Sequence, residues 1–383
     1  MKKVNFFAML AAAALMTGVS SCSNDDNAGD GVIPTGQSAK LSVKVAAPPS
    51  SRAVGTAVPG DVMENYTVFV TDNTGAIAWT AYNSGGTSMT GTETITVSTS
   101  AQHVYVVANA GNLISSITTL SGLNAYLADL NGTGNQSTAT NRWATGATST
   151  PLSFTASGSG DMEATANITL TFIAARITVK VDNQMTNTTD PSALTLGSIA
   201  LLNARGESLL FPNATTTGPL QGTLIPNAYT AGKKFYEGLA NPVAPNAFAN
   251  YPAASELTLD ATLLSNTLSG TSTDIYYYYV FENDATDVTE FPTIVTLVGT
   301  DSAGKSIYWP VHLTASEQWA SGTFSTTGIQ RGHSYNINIT LKGDATNGGG
   351  GTTDPTKPVI SASVEVNLTL TDWVPVDLEK EFN

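Results

Sequence analysis

Apolar residues fall on every second position in two stretches near opposite ends of the chain. Such alternation predicts a β-strand with one buried face. In the later stretch Ile360, Ala362, Val364, Val366, Leu368 and Leu370 alternate with Ser361, Ser363, Glu365, Asn367, Thr369 and Thr371. The apolar set extends less strictly through Val374, Val376 and Leu378. In the earlier stretch Ala39, Leu41, Val43, Val45 and Ala47 alternate with Ser38, Lys40, Ser42 and Lys44. Between them, short β-rich runs alternate with turn residues, the pattern of sandwich domains. "YTVFVTDNTGAIAW" (66–79) and "TIVTLVGTDSAGKSIYWPV" (293–311) predict hairpins turning at Asp72–Gly75 and Asp301–Gly304. In each turn Asp can hydrogen-bond the backbone ahead of it, and Gly supplies positive φ.

A 3.6-residue apolar period occurs only over residues 112–130, where Leu113, Ile117, Leu120, Leu123, Leu127 and Leu130 recur. It predicts one or two short helices in the first half. One hairpin per half implies two β-domains of related design, 53–172 and 173–342, meeting near "ITLTFIAARITVKV" (168–181). Residues 205–255, rich in Pro, Gly and Asn, predict long loops over the second domain. "GDATNGGGGTTDPTKP" reads as a flexible linker, placed at 343–359, and 360–383 as a terminal strand segment on that tether.

Residues 1–21 carry two lysines, a short apolar run and then small residues, which reads as an export signal. The run is too short to span a bilayer comfortably. "VSSC" ending at Cys22 looks like a bacterial lipobox, in which the cysteine is lipidated; the alternative is a plain secretory signal. Acyl chains bury about 0.8 kcal/mol per CH₂, enough for a multiply acylated cysteine to hold a precursor on a membrane. Asn24-Asp25-Asp26 resembles the surface-export signals of Bacteroidetes lipoproteins. Cys22 is the chain's one cysteine, so disulfide frameworks and cysteine–zinc sites are excluded. A net charge of −14 argues against nucleic acid or anionic lipid as partners. With 12% charged residues, the chain also offers little for a charged active site.

After the early strand come Pro48, Pro49, Ser50 and Ser51, then Arg52, the first arginine. Such an exposed loop is the kind that proteases cut. Taken alone, residues 38–47 are an ordinary first strand and Arg52 a solvated loop residue. Taken together, the two ends fit one mechanism. Removing the propeptide, 22–52, takes Leu41, Val43 and Val45 out of the sheet and opens an apolar groove. The terminal strand of another copy, Ile360 to Leu370, can fill it by β-augmentation. Burying half of that strand's side chains contributes an apolar term near about 10 kcal/mol before ordering costs. Because donor and groove lie on different surfaces, the contact is heterologous and propagates into a filament.

The lipobox at Cys22, "SSRAVG", "YYYVFEND" (277–284), "IQRGHSYNINITL" (329–341) and "VEVNLTLTDWVPV" together resemble the fimbrillins, pilus subunits of Bacteroidales, closest to the major, stalk-forming type. The resemblance spans essentially the whole chain. It implies a mainly β fold of two transthyretin-like β-sandwich domains and a lipoprotein precursor carried to the outer membrane. It also implies cleavage between Arg52 and Ala53 by a trypsin-like, arginine-specific protease and polymerisation by C-terminal strand insertion into a cell-surface fimbria. Its implied partners are copies of itself and accessory anchor and tip subunits, with no cofactor and no catalysis. The alternatives are a tip adhesin or a surface glycan-binding lipoprotein.

The remaining candidate chemistry is sparse. His103, His312 and His333 are scattered and form no pair at metal-ligand spacing, so structural roles are expected and no metal site is. Asp72–Gly75 lacks the acidic ladder of a calcium loop. No nucleophile elbow stands out, and "GGGG" (348–351) lacks the Lys-Ser/Thr of a phosphate loop. Tyr276–Tyr279 could stack on sugars, but a strand turns two of four inward, and a core strand is expected. Asp301-Ser302-Ala303 resembles a short O-glycosylation motif. Arg176 and Arg331 are candidates for buried ion pairs, with Glu282 the obvious partner.

Overall fold

The computed structural model describes residues 36–46, 64–84, 91–130, 142–202, 204, 207–211, 262–263, 270–271, 275–283, 285, 292–317, 321–324, 326–353 and 364–372. Twenty strands and one short α-helix lie among these residues. The first half holds β1 (Ser38–Ala46), β2 (Tyr66–Asp72), β3 (Ile77–Asn83), β4 (Gly91–Ser98) and β5 (Ala101–Ala108). Helix α1 (Leu120–Asn124) then precedes β6 (Leu127–Asp129), β7 (Ala144–Ala147), β8 (Thr155–Ala156), β9 (Met162–Thr169) and β10 (Thr171–Phe172). The second half opens with β11 (Ala175–Asn183), β12 (Thr195–Leu202), β13 (Glu207–Leu209), β14 (Thr262–Leu263) and β15 (Gly270–Thr271). It continues with β16 (Tyr276–Val280), β17 (Ile294–Thr300), β18 (Ser306–His312), β19 (His333–Leu341) and β20 (Val364–Asp372).

Each half contributes two sheets, so the protein is mainly β with sandwich-like layering, as expected. The first half forms β4-β1-β9-β8 and β10-β7-β5-β2-β3; the second forms β15-β11-β19-β20, with β16 also on β11, and β14-β12-β17-β18. Sheet membership changes between Phe172 and Ala175. The halves share a plan: β1 and β11 each open their half and lie inside a sheet, parallel to β9 and β19 respectively. Their alternating sequences bury one face; in β11 Ala175, Ile177, Val179 and Val181 are buried.

Both predicted hairpins form, as β2–β3 and β17–β18. Asp72 Oδ1 accepts from the Thr74 and Ala76 amides at 2.8 and 3.0 Å. Asp301 Oδ1 does the same from Ala303 and Lys305 at 2.9 and 2.8 Å. Gly75 and Gly304 both have φ of +80°, the conformation these turns demand of a glycine.

The helical period over 112–130 yields only α1, capped by the Thr119 hydroxyl accepting from the Gly122 amide at 3.0 Å. Leu127 lies instead in β6, because β13 offers that segment a ladder from the second half. The expected linker also differs at its start. Ala345–Gly350 is a 3-10 turn capped by Asp344, and the Trp309 indole N–H donates to the Gly349 carbonyl at 3.1 Å. Linker residues 354–359 lie outside the described residues.

Candidate assembly surface

β1 is a central strand. It pairs antiparallel with β4 from Ser38 to Val45 and parallel with β9 from Ala39 to Ala46. Leu41 and Val43 are fully buried, and Ala39 and Val45 retain 3% exposure. The outward positions are polar. Lys40 Nζ donates to Asp161 at 2.7 Å, and this hydrogen bond holds the Lys40 ammonium above and the Asp161 carboxyl below their usual ranges. Both side chains are about half exposed, so the pair contributes little to stability. The strand is pinned at its ends, where Thr99 Oγ1 accepts from the Gly36 amide and the Leu170 amide donates to the Ala46 carbonyl. Cys22, Arg52 and Ala53 lie outside the described residues.

β20, by contrast, is an edge strand. It pairs antiparallel with β19 of its own chain, from Val364 opposite Leu341 to Asp372 opposite His333. Val366 and Leu368 are buried, but Leu370 is 36% exposed. Among the described residues its other side meets a short parallel bridge, Ser321 with Asn367, where the Leu368 amide donates to the Ser321 carbonyl at 3.0 Å. Ile360 and Ala362 lie outside the described residues.

A third feature is the seam between the halves. Strand β13 crosses to pair with β6, and Phe211 follows it to pack edge-on against Tyr105 at 5.2 Å. Thr145 Oγ1 donates to the Leu210 carbonyl at 3.1 Å. The strap is held from the second half by Arg331. Its guanidinium makes two 2.6 Å bonds to Glu282 and donates to the Leu209 and Leu210 carbonyls at 2.9 Å and to Ser208 Oγ at 3.1 Å. Glu282 and Arg331 are both about 5% exposed, so this is a buried bidentate pair. Across the same seam the buried Arg142 guanidinium lies 3.0 Å from the centroid of the Tyr279 ring.

The sequence pointed to the Glu282–Arg331 pair but not to Ser208 or the strap, whose short apolar run "LLF" carries no period. Nor did it single out Ser321 and Gly322. Arg176 is bonded to Ser334 Oγ at 3.1 Å. Each histidine has a local partner: His103 contacts Thr148, His333 the Arg331 carbonyl, and buried His312 Glu317 at 3.2 Å. Among the described residues no three His, Cys, Asp or Glu converge. Tyr276, Tyr278 and Tyr279 are buried and Tyr277 is 41% exposed, so the tyrosine run is core rather than a sugar platform.

Two family models cover nearly all of the described chain. The model of the FimA-like major fimbrial subunit protein, C-terminal domain, matches residues 174–373. That of the major fimbrial subunit protein (FimA) matches residues 39–195. A candidate cell adhesion protein from Bacteroides eggerthii shares 26% identity at a TM-score of 0.63, covering 90% of this chain and 98% of that one. A fimbrilin from Porphyromonas gingivalis shares the fold, with 18% identity, a TM-score of 0.60 and 90% and 99% coverage. No curated protein matches.

Proposed function

The chain belongs to the FimA-like major fimbrial subunit family, a family of structural rather than catalytic proteins of cell-surface fimbriae, and from that premise we propose how it is assembled. The precursor is lipidated at Cys22 and held on the outer membrane. A trypsin-like protease cuts between Arg52 and Ala53, and β1 departs with the propeptide. The C-terminal strand of a second copy, Ile360 to Leu370, then enters the vacated slot between β4 and β9. Repetition gives the stalk, and anchor and tip subunits complete it.

One observation carries this reading: the strand next to the cut is the better housed of the two. β1 has a ladder on each side and its whole apolar face buried, whereas β20 has one full ladder and leaves Leu370 36% exposed. Loss of Leu41, Val43 and Val45 uncovers an apolar slot worth roughly 5–9 kcal/mol at 1.5–3 kcal/mol per side chain. Val364, Val366, Leu368 and Leu370 repeat the same two-residue spacing, so a donor strand in β1's direction presents four apolar side chains to the slot. A second ladder and the burial of Leu370 favour transfer over the resident position.

Incubating the full-length precursor with a trypsin-like protease is expected to give a ladder of oligomers on native gels. Arg52→Ala is expected to remain monomeric. A ladder of equal extent from Arg52→Ala, without a neighbouring cut mapped by mass spectrometry, overturns the proposal.

A further inference from the structure

We propose that Ser321 and Gly322 form a latch that keeps the C-terminal strand on its own sheet until a groove is offered, so that latch opening sets the pace of assembly. The inference rests on the reading of that strand as the donor. Its ground is the outer edge of β20, the side not covered by β19. There Ser321 bridges to Asn367, its carbonyl accepts from the Leu368 amide at 3.0 Å, and its hydroxyl donates to Asn367 Oδ1 at 2.5 Å.

Gly322 makes the approach possible. Its φ is +88°, a conformation that residues with a Cβ rarely adopt, and a Cβ there would lie 2.1 Å from the Leu368 carbonyl oxygen and 2.9 Å from its carbon. Both are backbone atoms, which no rotamer change can move. The bridge therefore requires glycine on steric as well as conformational grounds.

The latch also sits in the right place. Asn367 and Leu368 are mid-strand in Val364–Asp372, so peeling from either end meets the bridge before half the ladder has opened. On the β19 side, the Asn336 side-chain Nδ2 donates to the Thr369 carbonyl at 3.3 Å beside the latch. The bridge further occupies an outward backbone donor of an edge strand, a group that otherwise templates pairing with another chain. One short contact thus holds the donor and shields its edge.

The test is hydrogen exchange by mass spectrometry on the full-length precursor and its Gly322→Ala variant, followed by protease-triggered assembly of each. Exchange over residues 366–369 is expected to accelerate on the order of tenfold in the variant while β1 and β11 keep their protection. Oligomers are then expected to appear several-fold faster after cleavage. Unchanged exchange over 366–369 overturns the latch. Faster exchange with an unchanged assembly rate overturns its control of assembly. Ser321→Ala keeps the glycine and removes only the hydroxyl contact; it provides the same comparison, with a smaller shift, should Gly322→Ala fail to fold. The donor reading is judged separately, because a chain truncated after Val359 that still forms filaments refutes that reading whatever the exchange data show.

Discussion

Tyr335 lies on β19 opposite Leu370 of the C-terminal strand, fully buried, its ring stacked at 5.2 Å on Phe324. Its hydroxyl accepts from the Gln330 amide at 2.8 Å. Burial pushes the phenol from its ordinary value near 10 up to about 12, the Gln330 amide opposing slightly. The neutral phenol is thus favoured in the folded chain. Its contribution is complete below pH 10 and is lost as pH rises through about 12, because the unfolded chain ionises first. The full effect is roughly 2–3 kcal/mol, at 1.4 kcal/mol per unit of difference. Tyr105 and Tyr308 are raised by burial in the same direction, so part of the alkaline loss belongs to them. Urea midpoints measured from pH 9 to pH 12 should therefore fall less steeply for Tyr335→Phe than for the parent. Identical pH slopes would remove Tyr335 from the account.

At the scale of elements, legibility followed the range of the forces involved. Hairpins β2–β3 and β17–β18 were readable because an aspartate, a glycine and the flanking alternation all act within a few residues. The strand character of residues 38–46 and 364–372 was readable from period-two burial for the same reason. β6 was not, since its partner β13 lies some 80 residues away and the local apolar period favoured a helix. Composition misled most over 343–351, where five glycines suggested slack. Glycine is used there instead for close approach. A Cβ on Gly343 would lie 2.4 Å from the Gly349 carbon and 2.5 Å from its oxygen, backbone atoms that cannot turn aside. Gly343→Ala is accordingly expected to lower the unfolding free energy by about 1–3 kcal/mol, the usual cost of overpacking. A flexible tether would tolerate alanine. An unchanged urea midpoint for this variant would restore the linker reading of the segment.

At the scale of the molecule, the two pairs of sheets have to carry load as one body if the subunit is to serve in a filament. Among the described residues, the join runs through the strap Glu207–Phe211, which belongs by sequence to the second half and by pairing to the first, and through the contact of Arg142 with Tyr279. Arg331 holds that strap by its backbone, and Glu282 balances the charge. Glu282→Gln leaves a buried guanidinium without its counter-charge, and removing one member of such a pair costs about 3–5 kcal/mol. The loss falls on the strap first, since Ser208 Oγ also donates to Glu282 Oε1 at 3.1 Å. The two halves should then lose coupling before either loses its own core. Calorimetry of the precursor is expected to show one cooperative transition, and that of Glu282→Gln a lower and broader melt resolving into two. A single sharp transition in the variant, shifted by the same few kcal/mol, would mean that the halves are joined through other contacts, with Arg142 on Tyr279 the first to consider.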